Sequence, residues 1–289
     1  SLIFSFLICI YLIKNTKPKL VITRVFITSI FLNFFSINHI LEIHQELSGF
    51  TKFFFNLYYK FSKKNYVKLV FIHKNLINHF KVLKDKKKIV LDDGVDTNDF
   101  KLQIKKNKNS CVYTGSLSTG KGFEIIYQLS KLLKDIKFFV YGDKNLLSSK
   151  WKSKKLPPNI LMKDFIPYNQ VPKVLKSHKI LLMPYLNKSY GRVKKVNLSN
   201  YMSPLKLFDY LAAGRIIVAS NLKVYNHILH HKKNSLIIKS QSIKKWANTI
   251  KNVTYNYNFY KKIQINAKNT AKNFTWKKRV LKIFQFYEK

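Results

Sequence analysis

Carboxylates are scarce in this chain: 13 Asp+Glu stand against 54 Lys+Arg, for a formal net charge of +41. Such an imbalance ordinarily points to nucleic acid or an anionic membrane. The surplus is mostly lysine spread along the whole chain with many Asn, Ile, Phe and Tyr, which has the look of a global compositional bias as much as of a binding groove. No Cys/His finger, clustered basic recognition helix or base-stacking sheet motif is present, so no specific nucleic acid is expected as a partner. An anionic bilayer fits better, wherever an amphipathic surface also meets lipid. Cysteine is nearly missing. Cys9 and Cys111 exclude a disulfide scaffold and a Cys-based zinc site, and suit a cytosolic setting. Glycine (8) and proline (7) are few, in keeping with the same bias.

A long apolar run is missing too. Leu2 to Ile13 is almost wholly apolar but falls short of the roughly 20 residues that a membrane-spanning helix needs. It reads as a buried helix leading into a strand at Lys19 to Thr23, the alternative being the end of a signal or membrane helix in a truncated sequence. The first residue is Ser1, not an initiator methionine, and the chain reads as a fragment that begins inside its first domain.

What is present is an alternation of strands and helices long enough for two domains. Val25 to Phe35 predicts an apolar helix. His39-Ile-Leu-Glu-Ile-His44 predicts a strand whose carboxyl end carries His44, Gln45 and Glu46 into a loop, where a parallel sheet presents groups to a ligand. Phe50 to Phe61 predicts an aromatic-rich helix, Tyr66 to Ile72 a strand, and Lys74 to Leu83 a further helix. Asp92 and Asp93, beside Gly94, read as backbone caps in a turn, with no further ligand to make a metal site. Lys101 to Ser110 has the polarity of a linker.

The second half starts with a strand ending in Cys111-Val-Tyr-Thr-Gly115. It runs into the loop Ser116-Leu-Ser-Thr-Gly-Lys-Gly122 and a helix from Phe123 to Leu133. Gly115, Gly120 and Gly122 permit close backbone approach, and Lys121 offers an ammonium to an anion. Gly122 stands where a P-loop requires Ser or Thr, which disfavours kinase or ATPase chemistry. Strands at Ile136 to Tyr141, Asn159 to Phe165, Ile180 to Tyr185 and Leu236 to Ile238 follow, with helices at Asn169 to Ser177, Val224 to Leu229 and after Ser242. The pattern predicts an α/β class of doubly wound domains.

The segment Ser203-Pro-Leu-Lys-Leu-Phe-Asp-Tyr-Leu-Ala-Ala-Gly-Arg-Ile-Ile-Val-Ala-Ser220 organises the chain. Ser203 reads as a cap and Pro204 as a first-turn residue, Leu205, Phe208 and Leu211 recur at helical spacing, and Gly214 stops the helix before a buried strand. The unpaired N–H groups and dipole at such a helix start favour a phosphate. Lys206 in the first turn opposes that dipole, so helix stability alone does not account for it; an ordinary capped helix with a solvated lysine is the plainer reading.

This segment resembles the donor-site signature of the retaining, GT-B-fold glycosyltransferases of family 4, also described as group 1. Tyr113-Thr-Gly-Ser-Leu with Lys121-Gly122 is similar to the family's phosphate-side loop, Glu42-Ile-His44 to its first-domain loop, and Asp93-Gly-Val-Asp96 to the turn into its second domain. The resemblance is of the bacterial cell-surface polysaccharide type. It implies two Rossmann-like domains facing across a donor cleft: an acceptor-side domain over 1–108, truncated at its start, a nucleotide-sugar-binding domain over 109–270, and a last helix over 271–289 that crosses back to the first. It further implies transfer of a sugar from a nucleotide-sugar donor, with retention, to a saccharide or lipid-linked acceptor. No tightly bound cofactor and no metal are implied.

By that resemblance His44 and Lys121 are the catalytic groups. Gly115, Ser116, Lys121, Gly122, Ser203, Pro204, Leu205, Lys206 and Asp209 hold the donor, Asp209 on the ribose in place of the usual glutamate. Tyr201 and Ser116 depart from the family, standing where many members carry an acid and a base; Lys206, Arg192 or Lys195 would restore the lost positive charge. The departures leave a noncatalytic GT-B-like protein as an alternative, beside a basic membrane or nucleic-acid binding module. The implied setting is the cytoplasm, peripherally at the inner face of the membrane. There the Lys52-Phe-Phe-Phe-Asn-Leu-Tyr-Tyr-Lys60 segment would meet lipid, unless Phe53, Phe54, Leu57 and Tyr58 simply seal the first core.

Overall fold

A computed structural model describes residues 2–15, 18–104, 109–190 and 197–289. The centre of the 101–110 linker expectation, and Arg192 and Lys195, lie outside them. The chain divides into two units, Ser1–Asp92 with Lys278–Lys289, and Asp93–Lys277. Each is a parallel sheet carrying helices, so the fold is α/β with two Rossmann-like domains.

In the first unit, β1 (Ile22–Thr23), β2 (His39–Ile43), β3 (Val67–Phe71) and β4 (Lys88–Val90) lie in that order. Every residue of β2 is buried, as a central parallel strand requires. Its register with β3 runs from His39 opposite Val67 to Ile43 opposite Phe71. Helices α1 (Leu2–Lys14), α2 (Phe26–Phe34) and α3 (Gly49–Phe61) accompany the sheet. Ser29 Oγ ties His39 Nε2 (2.8 Å) to the Tyr59 hydroxyl (3.0 Å), joining α2, β2 and α3.

Three expectations fail here and in the second unit. The α1 helix forms but is not buried: only Ser5 and Cys9 are, because the helix rests on α2 along one narrow seam, with Ser5 Oγ 2.8 Å from Thr28 Oγ1. Lys74 to Leu83 forms two 3₁₀ turns in place of a helix. Leu76, Phe80 and Leu83 keep their burial, but Asn75 and Asn78 are weak helix formers and Phe80 (φ −122°, ψ 47°) breaks the spiral. Val224 to Leu229 likewise yields only a 3₁₀ turn, Lys223–Tyr225.

The second unit holds β5 (Ser110–Thr114), β6 (Lys137–Tyr141), β7 (Ile160–Lys163), β8 (Ile180–Met183), β9 (Ile216–Ser220) and β10 (Leu236–Ile238), in the order β10-β9-β8-β5-β6-β7. All pairings are parallel. Its helices are α4 (Phe123–Leu132), α5 (Ser149–Lys152), α6 (Val171–Lys176), α7 (Leu205–Ala213), α8 (Ile243–Tyr255) and α9 (Lys261–Ala271). One face of the sheet packs Phe123, Ile126, Trp246 and Ile250 from α4 and α8; the other packs Leu175, Phe208, Leu211 and Ala267 from α6, α7 and α9. The chain leaves β5 toward β6 and β7 and returns to β8 on the other side of β5. The carboxyl ends of β5 and β8 therefore flank a switch point, where open parallel sheets form their ligand crevice.

The last helix, α10 (Trp276–Glu288), belongs to the first unit from Lys278 onward, and Ile283 packs there on Ile40 and Val70. Arg279 on this helix pairs with Glu42 Oε1, while its Nε donates to the Asp92 carbonyl at 3.1 Å. Burial would raise the Glu42 carboxyl, but His44, Arg279 and Arg24 together outweigh it and hold the group down at about 2. A folded value below the unfolded one gives stability present above the unfolded value and lost as pH falls toward 2. Arg279→Met is accordingly expected to destabilise the protein by about 3 kcal/mol in urea unfolding at neutral pH, since it leaves the buried Glu42 carboxylate with only Arg24 and His44 beside it. An unchanged midpoint would mean that the pair contributes nothing.

Candidate functional site

The switch-point crevice is built first by glycine. Gly115 (φ 125°), Gly120 (φ 86°) and Gly122 (φ 90°) all take the left-handed conformation around the loop after β5. A Cβ at Gly122 would stand 1.9 Å from the Pro184 carbonyl oxygen, so the loop after β5 and the loop after β8 touch backbone to backbone. Ser116 lies within the turn: its carbonyl accepts from the Tyr113 hydroxyl, and its Oγ donates to Ser118 Oγ at 3.0 Å.

The second wall is the start of α7. Pro204 is its N-cap, without a side-chain cap, which corrects the expectation for Ser203; the Ser203 hydroxyl accepts instead from the Asp93 amide at 3.0 Å. Pro204 takes the cap position itself at φ −76°, within proline's fixed range, which places Ser203 one residue before the cap, in the turn. The Leu205 side chain is exposed, leaving its backbone N–H as what it brings to the crevice. Gly214 ends the helix at φ 60°, as its sequence position predicts. Tyr210 moors α7 to the sheet: its hydroxyl accepts from the Thr114 amide at 3.0 Å and donates to the Leu182 carbonyl at 3.3 Å.

Between these walls sit two lysines. Lys206 Nζ is shut off from solvent and, among the described residues, has no hydrogen-bond partner. It lies 3.7 Å from the centroid of the Tyr113 ring and 5.3 Å from that of Tyr185, and 2.9 Å from where a Gly115 Cβ would be. Lys121 Nζ stands 5.0 Å from the same Tyr185 ring. Burial first, and the neighbouring Lys121 charge second, push the Lys206 ammonium well below the ordinary lysine range; burial brings Lys121 down to about 8. Aromatic faces offset part of an ammonium's desolvation, but they do not supply hydrogen-bond acceptors. The arrangement is a desolvated cation pair that an anion would complete.

Asp209, one turn further along α7, is buried and accepts from the Tyr168 hydroxyl at 3.0 Å. Burial, with Asp99 adding to it, raises its carboxyl to about 7 against the pull of Tyr168 and Lys206. Tyr201 is buried. Gly115, Lys121, Gly122, Lys206 and Asp209 are thus gathered in the second unit, with Ser116 and the Ser203–Leu205 turn forming its loops.

His44 belongs to the first unit. It follows β2 directly, with Nε2 3.5 Å from Glu42 Oε1, and Glu42 Oε2 accepts from Arg24 Nε at 3.0 Å. Sequence reasoning placed Tyr113 in the loop segment but gave its ring no role, and it missed Tyr168 and Tyr185 in the crevice and Arg24 and Arg279 near His44. Tyr185 alone carried a signal, standing just past a strand's carboxyl end. Among the described residues no group of three or more His, Cys, Asp or Glu is placed to hold a metal ion.

Comparison with known proteins bears on the family and the fold. A family model described as glycosyl transferases group 1 matches residues 94–270. No curated protein sequence matches the chain significantly. Among solved structures, TarM superposes with a TM-score of 0.71 at 14% identity, over 97% of this chain and 57% of TarM. A glycosyltransferase from Rickettsia africae gives 0.70 at 14%, over 99% of this chain and 80% of that one. Anabaena HepE in complex with UDP-glucose gives 0.66 at 13%, over 93% and 77%. The chain therefore spans little more than half of TarM's length, and at these identities the likeness is one of fold.

Proposed function

Because this chain belongs to the glycosyl transferases group 1 family, we propose that it transfers a sugar from a nucleotide-sugar donor to a saccharide or lipid-linked acceptor, with retention at the anomeric carbon. The observation that carries the reading is the paired, desolvated cations Lys121 and Lys206 at the switch point, with Lys206 Nζ lacking a hydrogen-bond partner among the described residues. A diphosphate supplies the oxygens that this pair lacks. Lys206 takes up the positive charge lost at Ser116, and the N–H groups at the start of α7 add the helix dipole.

In this reading Lys121 and Lys206 stabilise the leaving nucleoside diphosphate, Asp209 accepts from the ribose hydroxyls, and His44 positions the donor sugar. The acceptor oxygen bonds the anomeric carbon on the face that the diphosphate leaves, the carbon–oxygen bond to phosphate breaks, and the alcohol proton passes to the departing phosphate oxygen. No carboxylate nucleophile is assigned. The role belongs to cell-surface polysaccharide synthesis, in the cytoplasm, at the inner membrane face when the acceptor is lipid-linked.

The test is a panel of nucleotide sugars and acceptors, with products identified by mass spectrometry. Lys121→Ala is expected to lower kcat/KM by on the order of 10²-fold or more, and Asp209→Ala to weaken donor affinity by about tenfold in calorimetry. If neither variant changed donor affinity or turnover in a folded protein, the site assignment would be lost. A protein that binds donor but never turns it over would be the noncatalytic relative.

A further inference from the structure

We propose that the aromatic face of α3, with the groove it forms beside α1 and α2, seats this protein on an anionic phospholipid bilayer. The inference deepens the transferase reading, since it assigns the surface at which a lipid-linked acceptor is met. It begins with a division of labour within one helix. Phe55 and Tyr59 of α3 supply its share of the core, Phe55 packing edge-on to Phe26 and Phe80. Phe50, Phe54, Leu57 and Phe61 recur at helical spacing on another face and are 76%, 41%, 43% and 71% exposed. Phe53, Phe54 and Leu57 therefore do not seal the core of the described residues, whereas Tyr58 is half-buried and its hydroxyl accepts from Asn33 Nδ2 at 2.9 Å.

The exposed stripe continues into a groove of about 970 Å³, whose other wall includes Phe31 and Phe34 of α2. Single exposed apolar residues need no explanation, but a continuous apolar face of this kind marks an interaction surface. Its occupant follows from charge. None of α1, α2 and α3 contains an Asp or Glu. Lys52, Lys60 and Lys63 are exposed on and just beyond α3. The acids nearest in sequence are already engaged, Glu42 with Arg24 and Arg279 and Glu46 with His79. A second copy of the chain would bring the same unbalanced cations to the contact and be repelled. An anionic bilayer supplies hydrocarbon for the rings and phosphate for the lysines, whose long stems reach the headgroup level. The attachment proposed for this face is one of lying on the surface, and among the described residues no helix is long and apolar enough to cross a membrane.

Co-sedimentation of the intact protein with vesicles of phosphatidylcholine, alone or mixed with phosphatidylglycerol, tests this at low and moderate salt. Retention is expected on the mixed vesicles, weakened but not abolished by salt. Phe50→Ser/Phe61→Ser is expected to lower the partition coefficient by on the order of tenfold or more. Both side chains lie largely outside the core, so circular dichroism is expected to be unchanged. The proposal is overturned if the mixed vesicles retain nothing, or if the double variant is retained like the parent. It also falls if sedimentation velocity shows a dimer that the double variant dissolves without any lipid binding. Nucleotide-sugar titration of the same preparations separates the two proposals. Donor binding without vesicle retention sinks this one alone, and vesicle retention without donor binding sinks the transferase reading alone.

Discussion

Lys206→Met is expected to make the protein more stable and, on the transferase reading, nearly inactive. Methionine keeps the length of the side chain between Tyr113 and Tyr185 while removing an ammonium that has no hydrogen-bond acceptor among the described residues. Removing a buried charge of this kind stabilises by about 1–2 kcal/mol, once the lost attraction to the Tyr113 face is subtracted. The same change takes one of two cations from the diphosphate, so kcat/KM is expected to fall by on the order of 10²-fold or more. The pH dependence carries the same signature. A lysine whose folded value lies below its unfolded one is more protonated unfolded, so stability rises with pH until the unfolded value of about 10.5 is passed. Lys121 contributes a rise of this sign between about 8 and 10.5, and Lys206 adds to it from a lower starting point. Urea midpoints across that range would therefore climb less steeply in Lys206→Met than in the parent. A variant that is less stable at every pH would show that the ammonium is well accommodated and that the anion-site argument is wrong.

The second large effect is expected from Gly122→Ala, in stability. At φ 90° a side chain is strained, and the added Cβ would stand 1.9 Å from the Pro184 carbonyl oxygen, a backbone atom that cannot rotate away. Left-handed strain of about 1 kcal/mol and overpacking of about 2–3 kcal/mol give an expected loss of about 3–4 kcal/mol. Gly49→Ala is the internal comparison: Gly49 has φ 56° with nothing within 4 Å of its would-be Cβ, so only the strain applies. Equal losses in the two variants, measured as chemical unfolding midpoints, would mean that the loops after β5 and β8 are not in backbone contact. Because Lys121 is the preceding residue, a destabilised but folded Gly122→Ala protein is also expected to bind donor less tightly.

Much of this molecule was legible from local pattern alone. The run His39 to His44 read as a strand and forms one over His39–Ile43, and the spacing of Phe208 and Leu211 before Gly214 marked the helix and its stop. The alternation of such elements implied two doubly wound sheets, and the glycines after β5 implied a close-approach loop. Local pattern misled where a segment's fate depends on what covers it. The apolar run of α1 fits a buried helix equally well as one lying largely open, and only packing distinguishes them. Lys74 to Leu83 has helical spacing, yet weak propensity left it as 3₁₀ turns.

What the amino-acid sequence determined by itself is therefore what has its cause within a few residues: most strand and helix identities, the turn conformations at Gly115, Gly120, Gly122 and Gly214, the placement of Lys121 in the loop after β5 and of Lys206 and Asp209 on α7, and the charge surplus. Tertiary structure decided what those groups experience. Lys206 read as a first-turn cation in unfavourable register with a dipole; its withdrawal from solvent over Tyr113 comes from α7 being moored through Tyr210 to β5 and β8. Arg279 meets Glu42 across 237 residues, so nothing local to either residue marks the pair. The reason is physical range. Backbone propensity and side-chain periodicity act over one or two turns, whereas burial and Coulomb interaction depend on neighbours that the parallel sheets bring together.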